Sequence, residues 1–187
     1  ETPWENRNRF EKTDTEGQVQ IILADRAYVD KKGIKPRLQN KIRRLAAYNN
    51  PEYFKNQAMS LPTFGIPRIV YSGEDTEQFI AIPRGCINKL CDNLNDASIK
   101  YTVDDKRNKG KEINVSFKGD LYPEQQNAVR SLKGHDIGVL AAATGFGKTV
   151  VGSYLISERK VNTLILVHTS EIMQNWINDL EKFLVIN

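Results

Sequence analysis

Residues 142–149 read Ala-Ala-Thr-Gly-Phe-Gly-Lys-Thr, and this spacing of glycine, lysine and hydroxyl side chains could bind a phosphorylated ligand. Glycines permit a tight turn that brings backbone N–H groups close to phosphate oxygens. The ammonium of Lys148 could reach β- and γ-phosphates, and the hydroxyl of Thr149 could ligate Mg²⁺. The predicted nucleotide-binding residues in this loop are Thr144, Gly145, Phe146, Gly147, Lys148 and Thr149, with Lys148 also the catalytic candidate and Thr149 the metal ligand.

A phosphate loop of the Walker A type stands between a strand and a helix, and the flanking sequence predicts both. The apolar run at 137–141 predicts a short strand, and a helix follows from Lys148 to Glu158. A buried strand is then predicted at 161–168 and a helix at 171–184. This order is the opening of a parallel α/β sheet. The competing interpretation is a glycine-rich surface turn beside an unrelated lysine, since Ala142 replaces the first glycine of the strict motif.

The phosphate loop and two neighbouring segments resemble superfamily 2 helicases and translocases, most closely the type III restriction (res-subunit) and XPB-like branch. The upstream segment is Leu-Tyr-Pro-Glu-Gln at 121–125, and the downstream segment is Leu-Ile-Leu-Val-His at 164–168 followed by Trp176. The resemblance implies a RecA-like P-loop domain that binds ATP and Mg²⁺, within a parent protein that is an ATP-dependent DNA helicase or translocase. It also implies that Gln125 reads the adenine edge, and that Thr169 and Ser170 contact the nucleic-acid backbone.

The sequence departs from that family pattern in ways that bear on activity. Tyr122 stands where the family usually has arginine, and Thr169 and Ser170 occupy positions that are often basic. The 187 residues contain no Asp-Glu-x-Asp/His box. Such a box would anchor Mg²⁺ and polarise the attacking water, so we expect this chain not to hydrolyse ATP appreciably. Because it also lacks an initiator methionine, we expect it to be a processed or excised piece, and the resemblance implies that it is the N-terminal part of a longer helicase.

A basic segment precedes these motifs and is the second candidate for binding DNA. Residues 31–44 contain seven lysines and arginines and no acidic residue. On the helix predicted from Pro36 to Tyr48, the side chains of Arg37, Lys41 and Arg44 would form one stripe. Such a stripe could neutralise phosphates along DNA. It could equally be an ordinary solvated helix face.

The pattern along the chain predicts three segments: a flexible lead-in at 1–19, a small α+β accessory domain at 20–118, and the truncated first half of a RecA-like domain at 121–187. In the accessory domain we expect short strands between 19 and 30, a hairpin at 67–83, and a helix at 86–94. Strands are also expected at 99–103 and 112–117. A parallel sheet of two strands would expose its edges, so strand exchange or oligomerisation through them is expected.

Composition limits the remaining classes of protein. The chain carries a formal charge of +4, and its excess of basic residues lies before position 121. No apolar run approaches the ~20 residues that a membrane-spanning helix needs, so no membrane partner is expected. Two cysteines suit a reducing compartment and form no zinc pattern, which favours a cytoplasmic protein. Two alternatives to a helicase stay open: a nucleic-acid-binding accessory module without nucleotide binding, and another P-loop NTPase or kinase.

Overall fold

The computed structural model describes residues 9–186 and divides the chain into two compact units, with the division after Asn108. The strands of the first unit are β1 (Val19–Leu23), β2 (Ala27–Asp30), β3 (Ala47–Asn49), β4 (Ile69–Tyr71), β5 (Glu74–Asp75), β6 (Phe79–Ile82) and β7 (Tyr101–Asp105). Its α-helices are α1 (Pro36–Leu45), α2 (Pro51–Ala58) and α3 (Ile87–Asp96). The accessory segment is therefore of mixed α and β structure.

The core of the first unit is a five-stranded mixed sheet with the order β5-β6-β2-β1-β7. Strand β1 pairs antiparallel with β2 and parallel with β7, so that Val19 lies opposite Tyr101. Its apolar residues alternate, and Val19, Ile21 and Leu23 point into the core. Helices α1 and α3 cover this face with Leu38, Ile42, Leu90 and Leu94, all fully buried. The period of two in the strand and of three to four in the helices explains this packing.

The predicted hairpin at 67–83 is wrong, because its two strands pair with different partners. Strand β4 pairs with β3, whereas β6 pairs with β2 inside the five-stranded sheet. Three of the four residues of β6 are buried, while Ile69 and Tyr71 in β4 are exposed. An apolar strand buries more surface inside the five-stranded sheet than it would in a two-stranded local hairpin. The non-local pairing of β6 with β2 is therefore favoured.

The segment predicted as a flexible lead-in lies partly outside the described residues, since only 9–19 of it are described. Within that part, the Phe10 side chain is buried against the first core. Lys12–Asp14 form a short 3-10 turn, and Thr15 bridges to Ile34. The described part of this segment is thus packed on the sheet and helix that follow it.

The second unit contains β8 (Val115–Phe117), α4 (Pro123–Lys133), α5 (Lys148–Arg159), α6 (Ser170–Phe183) and β9 (Leu184–Ile186). Helix α5 is its centre and contacts α4, α6 and β8. Strand β8, which the sequence assigned to the accessory domain, pairs antiparallel with β9 and so belongs to the second unit. Helices α5 and α6 were both predicted, each within one residue of the observed ends.

The parallel sheet predicted for this unit is not formed in the described residues. Neither 137–141 nor 161–168 is a strand, apart from a single bridge between Val161 and Glu112. The side chains of Val139, Leu164 and Leu166 are more than four-fifths exposed. Two parallel strands without further neighbours gain little from pairing, because parallel sheets are stable when covered on both faces. The predicted oligomer was expected to form through an edge of this parallel sheet, and the described residues do not form that sheet.

Candidate nucleotide-binding site

The predicted phosphate loop lies immediately before α5, as the sequence required. Gly147 is the residue that precedes the helix, and its φ of 84° lies in the left-handed region. Gly145 has a φ of 83°. Residues with a Cβ atom rarely adopt this conformation, so both positions explain the need for glycine. Two left-handed residues close together are a backbone arrangement of the kind that binds anions.

The first turn of α5 supplies free backbone N–H donors next to this loop. The first helical hydrogen bond runs from the Val151 N–H to the Gly147 carbonyl at 3.1 Å. The N–H groups of Lys148 and Thr149 precede it and have no partner within the helix. The side chain of Lys148 folds back over the loop and donates to the Ala143 carbonyl at 2.8 Å. Donors, helix dipole and ammonium thus converge where the phosphates of a nucleotide and its Mg²⁺ would fit.

Gln125 ties helix α4 to this loop. Its side chain is 5% exposed, and its Nε2 donates to the carbonyl of Phe146 at 2.8 Å. Its Oε1 accepts the backbone N–H of Tyr122 at 3.0 Å. A Cβ atom placed on Gly147 would lie 2.6 Å from the same Nε2 atom. The amide therefore packs directly against the second glycine of the loop and fixes the position of the Phe146 carbonyl.

Helix α5 is held in place by its neighbours on both sides. Val151 is buried, and a Cβ atom on Gly152 would lie 2.6 Å from the Trp176 ring of α6. On the other side, Lys133 of α4 forms an ion pair with Glu158. The hydrogen bond from that ammonium is the main cause that holds the pKa of the Glu158 carboxyl below its usual range. Trp176 of α6 thus packs against α5, and the absence of a side chain at Gly152 allows the two helices to approach closely.

Thr169 and Ser170, predicted to contact nucleic acid, stand at the start of α6. Thr169 precedes the helix, and its Oγ1 accepts the N–H of Ile172 at 3.3 Å. This is an N-terminal cap, which satisfies one of the free amides of the helix. The hydroxyl hydrogen is not used by that bond, so it can still be donated to a phosphate oxygen.

The basic stripe of α1 is largely used inside the first unit. The Lys41 side chain is 5% exposed, and its ammonium lies 3.2 Å from the buried carboxylate of Asp14 and donates to the Arg9 carbonyl. Arg37 donates to the carboxylate of Glu11 at 2.8 Å. The prediction that Lys41 contacts DNA does not fit this burial, because the ammonium is enclosed by protein. Of the three predicted residues, Arg37 and Arg44 are exposed.

Sequence reasoning missed the acidic partners of that stripe. Glu11 and Asp14 lie in the segment predicted as a flexible lead-in. They are acidic residues, and the strongly basic segment at 31–44 follows them in the chain. The charge pattern was the available signal. Tyr122 was likewise noted only as a departure from the family pattern, whereas the residue is 73% exposed and its backbone N–H donates to the Gln125 side chain.

Residues 9–186 contain neither a membrane-spanning helix nor a metal cluster of protein side chains. No helix in that part of the chain has the length and apolar character needed to cross a membrane. The same residues contain no group of three or more histidine, cysteine or carboxylate side chains placed to share a metal ion.

The second unit matches a known protein family. Residues 118–187 match the family model described as type III restriction enzyme, res subunit. The matched segment contains α4, the phosphate loop, α5 and α6. No curated protein matches the chain. The predicted resemblance to res subunits is confirmed for this segment, which relates the second unit to helicase-type ATPases.

Proposed function

We propose that this chain is the N-terminal part of an ATP-dependent DNA helicase or translocase, in which the second unit binds ATP with Mg²⁺. The observation that carries the proposal is the loop before α5, with two left-handed glycines, free helix amides and the Lys148 ammonium turned over it. The match of residues 118–187 to res subunits supports the same reading.

Each residue of the loop has a separate task in this proposal. The backbone of residues 144–147 and the ammonium of Lys148 hold the phosphate oxygens, and the Thr149 hydroxyl ligates Mg²⁺. Mg²⁺, when bound, neutralises negative charge on the β- and γ-phosphates. Gln125 belongs to the site through its bond to the Phe146 carbonyl. Since no Asp-Glu-x-Asp/His box occurs in the 187 residues, we assign nucleotide binding, and not hydrolysis, to this chain.

Nucleic acid is the proposed partner on two surfaces, one in each unit. In the second unit the Thr169 and Ser170 hydroxyls would donate to backbone phosphates at the start of α6. In the first unit the exposed Arg44 would supply a cationic contact, whereas Arg37 and Lys41 form ion pairs with Glu11 and Asp14. These contacts would position DNA without reading its sequence.

Calorimetric titration of the chain with Mg–ATP tests the nucleotide site. We expect saturable binding that weakens about tenfold or more in Lys148→Ala, because charge-assisted hydrogen bonds to phosphate are lost. Lys118→Ala serves as the control, since this lysine is exposed in the same unit but outside the loop. Equal affinities for the wild-type chain and Lys148→Ala would contradict the assignment.

The salt dependence of binding to a short DNA duplex tests Arg44. We expect Arg44→Ala to reduce the slope of log K against log salt by about one, as for one lost phosphate contact. Arg84→Ala, which removes another exposed arginine of the first unit, should leave the slope unchanged. If both variants keep the wild-type slope, Arg44 does not contact DNA.

The second candidate function is a nucleic-acid-binding module that does not bind nucleotide. It is favoured by the exposed segments at 137–141 and 161–168, which flank the phosphate loop and its helix without forming strands. DNA binding in the absence of any Mg–ATP binding would support this second candidate over the first.

A further inference from the structure

Residues 47–71 of the first unit leave their apolar side chains outside the core. Strands β3 and β4 form a two-stranded sheet that is separate from the five-stranded one, and helix α2 between them has no buried residue. Six large apolar side chains of this segment are at least 40% exposed: Tyr48, Met59, Leu61, Phe64, Ile69 and Tyr71. Single exposed apolar residues are ordinary, but a concentration of them in one short segment is typical of a binding surface.

One face of the β3–β4 sheet carries an aromatic ring and a cation as neighbours. Tyr48 lies opposite Val70, and the next pair along is joined by a hydrogen bond from the Asn50 N–H to the Arg68 carbonyl. Because alternate residues of a strand share a face, Tyr48 and Arg68 are diagonal neighbours on this sheet. The Arg68 guanidinium also lies over the ring of Phe54 in α2, 5.6 Å from its centre. We call Tyr48, Phe54 and Arg68 the aromatic surface.

Charge around the aromatic surface favours an anionic partner. Residues 43–71 contain four basic residues and one acidic residue, Glu52. Of the basic ones, Lys55 and Arg68 are exposed, and neither forms an ion pair within the described residues 9–186. Exposed rings beside exposed cations suit a single-stranded nucleic acid, whose bases stack and whose phosphates pair with the cations. In a duplex the bases are stacked on one another, so the rings would have no base to contact.

We propose that the aromatic surface binds single-stranded DNA, with a base stacked on Tyr48 and backbone phosphates held by Arg68 and Lys55. The inference deepens the proposed function, because it names the form of DNA that the first unit holds. Stacking uses a π-face that every base has, so this surface binds without reading sequence. A separated strand is what the proposed helicase would produce, and the first unit holds it.

Fluorescence anisotropy with the whole chain tests the stacking contact. The probes are a labelled oligo(dT) of about 12 nucleotides and a duplex of the same length. We expect Tyr48→Ala to weaken oligo(dT) binding about tenfold and to leave duplex binding unchanged, whereas Tyr48→Phe keeps the ring and should bind as the wild type does. Leu61→Ala is the matched control, since it removes an apolar side chain of similar exposure that has no ring. Far-UV circular dichroism checks that each variant is folded.

The salt dependence of oligo(dT) binding tests the phosphate contact. Arg68→Ala should reduce the slope of log K against log salt by about 0.7, the value for one phosphate of a single strand. Arg68→Lys keeps the charge and should keep the slope. Lys100→Ala removes an exposed lysine that precedes β7, outside the aromatic surface, and should also leave the slope unchanged.

Each contrary result identifies what fails. Unchanged oligo(dT) affinity in Tyr48→Ala overturns the inference, and the proposed function stands if Arg44→Ala still lowers the duplex slope. Equal losses in Tyr48→Ala and Leu61→Ala, together with a wild-type dimer in light scattering that both variants dissociate, would assign the surface to a second copy of the chain. Oligo(rU) bound about tenfold tighter than oligo(dT) would make RNA the partner. A wild-type chain that binds neither oligo(dT) nor duplex would overturn the proposed DNA partner itself.

Discussion

Replacing Gly147 with alanine is expected to weaken Mg–ATP binding about hundredfold, since two separate costs add at this position. The backbone φ of 84° is strained for any residue with a Cβ atom. The new Cβ would also lie 2.6 Å from the Nε2 atom of Gln125, which is itself tied to the Phe146 carbonyl. Both costs act on the loop conformation that would hold the phosphates, so we expect them to be measured as lost affinity.

Gly145 offers a matched control for this prediction. Its φ of 83° is nearly the same, but a Cβ placed on it meets no atom within 4 Å. Gly145→Ala should therefore show the strain alone, about tenfold in affinity. Combining Gly147→Ala with Gln125→Ala removes the close contact, so the double variant should lose less affinity than the two separate losses predict. Strictly additive losses would mean that the amide does not restrict Gly147.

The helices of the second unit were predictable because their signals are local. Proline at the first position of α4, the Gly-Lys junction at α5 and the apolar spacing in α6 mark their starts without reference to the rest of the chain. The phosphate loop shares this property, since its conformation follows from glycines inside a short segment. The predicted phosphate loop and the helix that follows it, α5, could therefore be located from the sequence.

The pairing of strands and the pairing of charges could not be predicted from local sequence signals. The strands predicted at 137–141 and 161–168 have apolar sequences, but a strand also needs a neighbour, which periodicity cannot supply. The hairpin at 67–83 failed for the same reason, because β6 pairs with β2, far from it in sequence. Charge behaves likewise: a basic helix is a DNA-binding surface or an ion-pair partner depending on which residues pack against it.

Lys41 is a basic residue whose role depends on the residues that pack against it. Its replacement is expected to have the largest effect on stability. Lys41→Met should lower the free energy of unfolding by about 3 kcal/mol, because the buried carboxylate of Asp14 would lose its nearer cation and keep only Arg37, at 3.9 Å. Asp14 and Lys41 are each about 5% exposed at the side chain, and their charged atoms lie 3.2 Å apart. Urea denaturation followed by circular dichroism measures the change.

Two controls separate the buried pair from a general effect of charge. Lys106 pairs with Asp104 at 3.1 Å, but both side chains are more than half exposed, so Lys106→Met should cost less than about 1 kcal/mol. The double variant Lys41→Met/Asp14→Leu replaces both charges with apolar groups and should recover most of the lost stability. If Lys41→Met instead leaves stability unchanged and weakens DNA binding, the ammonium lies at the surface, and the first prediction from the sequence was correct for this residue.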